Sequence, residues 1–340
     1  MTEKKSKIRI LSIDGGGIRG VIPAVLLEYI ENGLQQRTGN PHVTLADYFD
    51  LIAGTSTGGI LTCCYLLPAL PGQKQHSRFS ASEAVDMYIS YGKMIFEKKL
   101  LRYGITREKY PIAGLEKVLE KYLSDVTLAE SRKNCLITAY DIAERKAVFF
   151  TSPQARQHDI RNYFLRDVAR ATSAAPTFFE LASIRSVGGA ASHLIDGGVY
   201  AGNPTMCAIV EANKTVFETC ANPGINDMYV VSIGTGKDKV KYDHSKAKHW
   251  GAMGWARPMI DILLSASAEV VDYQMQQLFK IAGCNDCYVR LETDLGDANP
   301  EMDDASDENI RNLIDSAKNF IKENVEKLDE IVKNVLKTEN

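Results

Sequence analysis

Nowhere does the chain hold the roughly 20 consecutive uncharged apolar residues that a membrane-spanning helix needs, so a helical transmembrane anchor is not expected. No secretory leader is expected either. The apolar run from Ile8 to Ile13 is too short for one and ends in Asp14 and three glycines, so the expected location is the cytoplasm. Charge of one sign is not in excess: 40 Lys and Arg against 43 Asp and Glu give a net charge of −3. Nothing global therefore draws the protein to a nucleic-acid backbone or an anionic bilayer. No nucleic-acid partner is expected, and any membrane contact has to be local, transient and peripheral. Low-complexity tracts and internal repeats are absent. The seven cysteines, odd in number and without a leader, read as reduced thiols. Only Cys284 and Cys287 have C-x-x-C spacing; no second pair completes a tetrahedral set, and no metal site is expected.

What is present suits a soluble globular protein: 45% hydrophobic and 24% charged residues in a chain of 340, enough for a full core. Strand-like and helix-like segments alternate, which points to an α/β sandwich. Strands are expected at Lys7 to Asp14, Phe49 to Ala53, Cys135 to Tyr140, Ala147 to Thr151, Ser192 to Asp196 and Met228 to Ile233. Helices are expected from Pro23, from Ile60 to Leu67, from the Ser80/Glu83 capping box to about Phe96, from Leu165 to Ala174, and after Asn203-Pro204. After Asn299 the composition turns acidic, and one long amphipathic helix follows, with Ile310, Leu313, Ala317, Phe320, Leu328, Ile331 and Val335 at helical spacing. The division expected is a main domain over 1–300 and an acidic segment with its helix over 301–340. Packing across its own domain is the first role for that helix; pairing in a homodimer and lying on a membrane are the others.

Three glycine-rich turns carry the chemistry. Gly54-x-Ser56-x-Gly58 stands between a strand and a helix, where glycines two residues either side allow the sharp reversal that lifts a serine Oγ clear of a sheet. A serine hydroxyl needs a base. None of the six histidines occupies a strand-end motif, and His193 points away from Asp196 if its strand is regular. Asp196-Gly197-Gly198 closes an apolar strand, and a desolvated carboxylate there can serve as base without an imidazole. The third turn, Asp14-Gly15-Gly16-Gly17-Ile18-Arg19-Gly20, offers successive N–H groups beside a helix N-terminus, the makings of an oxyanion hole, with Arg19 anchoring the loop or strengthening its field. Gly15, Gly17 and Gly20 also satisfy G-x-G-x-x-G, so a nucleotide-binding module is the competing reading. The acidic residue it requires after the second strand is absent, since the nearest acids, Asp47 and Asp50, stand before its end, and no G-K-[ST] marks a P-loop.

In this order the three turns resemble the patatin-like phospholipases: Asp14 to Gly20 their oxyanion loop, Gly54 to Gly58 their nucleophile turn, Asp196 to Gly198 their catalytic aspartate. Ser173-Ala-Ala-Pro176 and Ser232-Ile-Gly-Thr-Gly236 add to the likeness, which runs from about residue 7 to about residue 290. The resemblance implies a three-layer α/β/α fold with a mostly parallel sheet, a Ser56–Asp196 dyad, and hydrolysis of phospholipid or other lipid esters with no metal or other cofactor. A latent form of such a hydrolase, switched on by a ligand, is a further reading. For access to lipid, Lys93 to Arg102 mixes Met94, Ile95, Phe96, Leu100 and Leu101 with Lys98, Lys99 and Arg102, as an interfacial lid or an amphipathic surface helix does.

Overall fold

The computed structural model describes residues 7–70, 72–97, 108–237 and 242–337. Within them one sheet of eight strands forms: β1 (Ile8–Ile13), β2 (Leu51–Gly54), β3 (Asn134–Asp141), β4 (Lys146–Thr151), β5 (Ala182–Arg185), β6 (Ala191–Asp196), β7 (Met228–Ile233) and β8 (Tyr288–Leu291). Their order is β5-β6-β3-β2-β1-β7-β8, with β4 also paired to β3. From β3 to β8 the pairings are parallel; β4 and β6 run antiparallel to β3, and β5 antiparallel to β6.

The central strands are buried on both faces, which is why IRILSI and MYVVSI read as almost continuous apolar runs. Their side chains still alternate. Ile8, Ile10, Leu51, Ala53, Met228 and Val230 pack with Ala208, Ile209, Met275 and Phe279 of the helices Thr205–Asn213 and Ala252–Ile281. Leu11, Ile13, Ile52, Val231 and Ile233 face the other layer, which includes the helices Val21–Thr38, Thr57–Leu66, Ala81–Ile95, Ala113–Leu123 and Leu165–Thr172. The fold is thus a three-layer α/β/α sandwich on a mostly parallel sheet.

Buried Glu31 ties this second layer together. Its carboxylate accepts the Leu45 N–H at 3.0 Å and the Ala81 N–H at 2.7 Å, holding the first turns of two helices, while burial pushes its acidity up to about 7. The capping box at Ser80 and Glu83 starts the helix Ala81–Ile95 as the sequence indicates.

The single long helix expected after the acidic segment is two helices, Asp307–Glu323 and Val325–Leu336, separated at Asn324. Asn324 leaves helical dihedrals (φ −126°, ψ 26°) and its side chain donates to the Phe320 carbonyl at 2.9 Å, the kind of local hydrogen bond with which asparagine competes against helix continuation. Both helices bury their apolar faces in the main core, through Ile310, Leu313 and Ala317 of the first and Leu328, Ile331, Val332 and Val335 of the second. Leu328 is fully buried, so Leu328→Ala should lower unfolding free energy by about 2–5 kcal/mol in urea titrations. A loss under about 0.5 kcal/mol, the range of ordinary surface changes, would mean that the helix does not dock.

Candidate active site

Ser56 stands between β2 and the helix Thr57–Leu66 in a conformation rare for a residue with a side chain, φ 54° and ψ −121°. Such backbone costs on the order of 1–3 kcal/mol and persists only where its surroundings enforce it. Here they do. A Cβ on Gly54 would lie 2.1 Å from the Gly58 carbonyl oxygen, and one on Gly58 2.2 Å from the Ile13 carbonyl oxygen, so the turn closes only with glycine at both places. The Ser56 N–H donates to the fully buried Thr172 Oγ1 at 2.8 Å, which fixes the residue from the side.

Asp196 ends β6, opposite Ala139 of β3, while Gly54 lies opposite Ile137 of the same strand. β6 is antiparallel, so Asp196 does not stand at a carboxyl edge in the way the ends of parallel strands do. It reaches Ser56 because β3 continues past the end of β2 and carries β6 alongside. Ser56 and Asp196 line the same cleft, with the Ser56 side chain near enough to draw the Asp196 pKa down, and the Gly198 N–H donates to Asp196 Oδ1 at 2.7 Å. Asp196 is 4% exposed and Ser56 8%. Burial pushes the Asp196 pKa up to about 7, against the pull of the Ser56 side chain and the Gly198 N–H. No histidine takes part: all six are exposed, and His193, on the other face of β6 from Asp196, shares a hydrogen bond of 3.0 Å with Ser183.

The glycine loop divides its groups. The Gly15 N–H donates to the Gly202 carbonyl at 2.9 Å and is spent there. Among the described residues the N–H groups of Gly16 and Gly17 meet no protein acceptor, and both residues line the cleft that holds Ser56 and Asp196. Gly17 has φ +60°, and a Cβ there would lie 2.1 Å from the Met302 carbonyl oxygen, which instead accepts the Ile18 N–H at 2.8 Å. Arg19 lines a separate polar cavity behind the loop, together with Asp14, Asp272, Arg290 and Glu292, and not the Ser56 cleft. Arg290 forks onto both carboxyl oxygens of Asp14 at 3.0 and 2.6 Å and also reaches Glu292 at 2.5 Å. Burial raises Asp14 to about 6 even so.

The cleft itself is apolar, about 80 Å³, and runs from Ser56 past Ile60 and Met87 to Ile95, Phe96, Leu115, Val118, Leu119, Phe178 and Phe179. Leu264 and Met302 complete its wall. The sequence did not point to these last two, nor to Arg290, because each depends on contacts between distant segments. Of the expected lid, Ile95 and Phe96 belong to the cleft wall, Phe96 packs on the rings of Tyr110 and Phe179, and Lys93 pairs with Asp307 at 2.5 Å. Leu100, Leu101, Lys98, Lys99 and Arg102 lie outside the described residues. No described helix is long and apolar enough to cross a membrane.

Asp196 makes stability depend on pH. Between its ordinary value of 3.8 and about 7 the folded protein keeps a proton that the unfolded chain has released. The stabilising contribution is therefore full below that range and is lost as pH rises through about 7. Asp196→Asn should remove the slope, so that its melting temperature exceeds that of the unsubstituted protein most at about pH 8 and least at about pH 4. A gap that stays constant across this range would contradict the burial of an acid.

Comparison with known proteins agrees with this construction. The family described as patatin-like phospholipase matches residues 11–209, which contain both Ser56 and Asp196. Patatin-like protein 2 of Oryza sativa subsp. indica is 35% identical over 96% of this chain and 87% of its own length. Patatin-like protein 3 of Arabidopsis thaliana is 34% identical over 95% of this chain and 82% of its own. A potato protein named "Probable inactive patatin-3-Kuras 1" is 31% identical over 94% and 87%. With its serine turn, its aspartate and its glycine loop assembled at one cleft, this chain belongs to the patatin-like phospholipase family.

Proposed function

We propose that the protein is a serine lipid acyl hydrolase of the phospholipase A type, working through Ser56 and Asp196. Membership of the family supports lipid acyl hydrolysis in general. The observation that carries the finer reading is the meeting of Ser56 and a buried Asp196 carboxyl in one apolar cleft, the serine side chain near enough to lower the pKa of the acid. In this reading Asp196 takes the proton as Ser56 Oγ adds to the ester carbonyl carbon, and the carbonyl oxygen gathers negative charge between the N–H groups of Gly16 and Gly17. Collapse expels the alcohol, which receives the proton from Asp196, and leaves an acyl group on Ser56. Water, deprotonated by Asp196, then adds to the acyl carbon; release of the fatty acid returns the proton to Ser56.

Two features support these assignments. Backbone donors fixed by the tight packing of the loop need no reorganisation as charge develops, and one such donor is worth on the order of 3 kcal/mol. A carboxyl with acidity near 7 is matched to taking and returning a proton at neutral pH. The competing nucleotide reading loses ground because the Gly15 N–H is already bonded within the protein and Gly17 is packed against Met302.

Ser56→Ala and Asp196→Asn should each lower kcat for a short-chain p-nitrophenyl ester by at least about a thousandfold, with the protein still folded by circular dichroism. Retention of more than about a tenth of the activity in either variant would end the dyad reading. In the unsubstituted protein kcat/KM should fall as pH drops below about 7, where Asp196 holds its proton, and level off above it.

A further inference from the structure

The helix Ala252–Ile281 presents two different faces near its start. Leu264 points inward: it packs against Gly15 and Gly198 and lines the cleft beside Ser56 and Asp196. One helical face outward, Trp255, Met259 and Leu263 recur every four residues and are 40%, 50% and 42% exposed. Beside them the rings of Trp250 and Trp255 meet edge to face at 5.1 Å, and Tyr242, 47% exposed, meets Trp250 at 5.5 Å. The chain's two tryptophans are therefore both here. The charge of this stretch also departs from the rest. From Lys237 to Arg257 six Lys and Arg stand against Asp238 and Asp243, with His244 and His249 besides, in a chain of net charge −3. Lys237 and Lys248 are exposed.

We propose that the surface of Tyr242, Trp250, Trp255, Met259 and Leu263, with Lys237 and Lys248, is where the protein sits on an anionic phospholipid surface. The proposal rests on the lipid-hydrolase reading above. Tryptophan and tyrosine rings favour the headgroup level of a bilayer, and lysines are drawn to anionic headgroups within a Debye length. Aliphatic Met259 and Leu263 enter the acyl boundary beneath them. A second copy of this chain fits the surface less well, because a twofold contact would bring Lys237 and Lys248 toward their own copies. The helix also gives docking a use: the residue after Leu263 is a wall of the cleft, so the lipid surface and the reacting serine are joined by one rigid element.

The test uses full-length protein carrying Ser56→Ala, which separates binding from turnover. Its tryptophan emission is read with vesicles of phosphatidylcholine containing phosphatidylglycerol and with vesicles of phosphatidylcholine alone. Binding to the anionic vesicles should shift the emission to the blue and weaken as salt is raised. Met259→Ser with Leu263→Ser should raise the vesicle Kd at least about tenfold, and so should Lys237→Glu with Lys248→Glu, which alters only exposed charges. Neither pair should change turnover of a soluble short-chain ester in protein that keeps Ser56. Vesicle affinity unchanged from the parent in either double variant, or no binding of the parent protein, overturns the proposal. So does loss of a dimer in sedimentation velocity with vesicle binding intact. Unsubstituted protein that binds vesicles but hydrolyses no ester would count against the hydrolase reading and not against this surface.

Discussion

A carboxyl group and a hydroxyl stand side by side where water is scarce, and the rest of the molecule is arranged around keeping them there. Asp196 would be more comfortable ionised in solvent. Burial holds it near neutrality, and only the Ser56 hydroxyl and the Gly198 N–H offset the loss of hydration. That balance needs a rigid frame, since a small opening would admit water and return the acid to its ordinary value. The frame is the centre of the sheet, where β2 delivers Ser56 and β6, running the other way, delivers Asp196 to the same level.

Close approach of backbone to backbone is the second constraint. The serine turn folds back on itself between Gly54 and Gly58, and the neighbouring loop is pressed against Met302 at Gly17. Polar groups complete the packing where side chains cannot. Thr205 Oγ1 bonds Ser12 and Ser232 at 2.9 Å each, Ser232 receives Arg290, and Arg290 holds Asp14 at the base of the glycine loop. A chain of buried hydrogen bonds thus runs beneath the loop whose Gly16 and Gly17 line the cleft.

Much of this was legible in the sequence, for reasons that differ by element. β7 was bounded correctly because MYVVSI is an unbroken apolar run flanked by polar residues. The serine turn and the aspartate could be read because their glycines have a local steric cause. β5 and β8, four residues each, were not foreseen: ASIR and YVRL are too short to show a period, and they become strands only by pairing with β6 and β7. The helix Ala252–Ile281 was hidden by Pro258 within it and by its mixed faces. Which loop amides are spent and which are free, and that Arg19 turns away from Ser56, depend on partners more than a hundred residues distant, such as Gly202 and Met302.

Met302 has a consequence for how the protein is made. Its carbonyl is bonded to the Ile18 N–H and seated against Gly17, so this glycine turn leaves the ribosome well before the segment that moulds it. During synthesis, Ser56 and Asp196 are both outside the ribosome long before that mould arrives. A growing chain that has not yet reached Met302 therefore lacks the contact that shapes the loop beside Ser56.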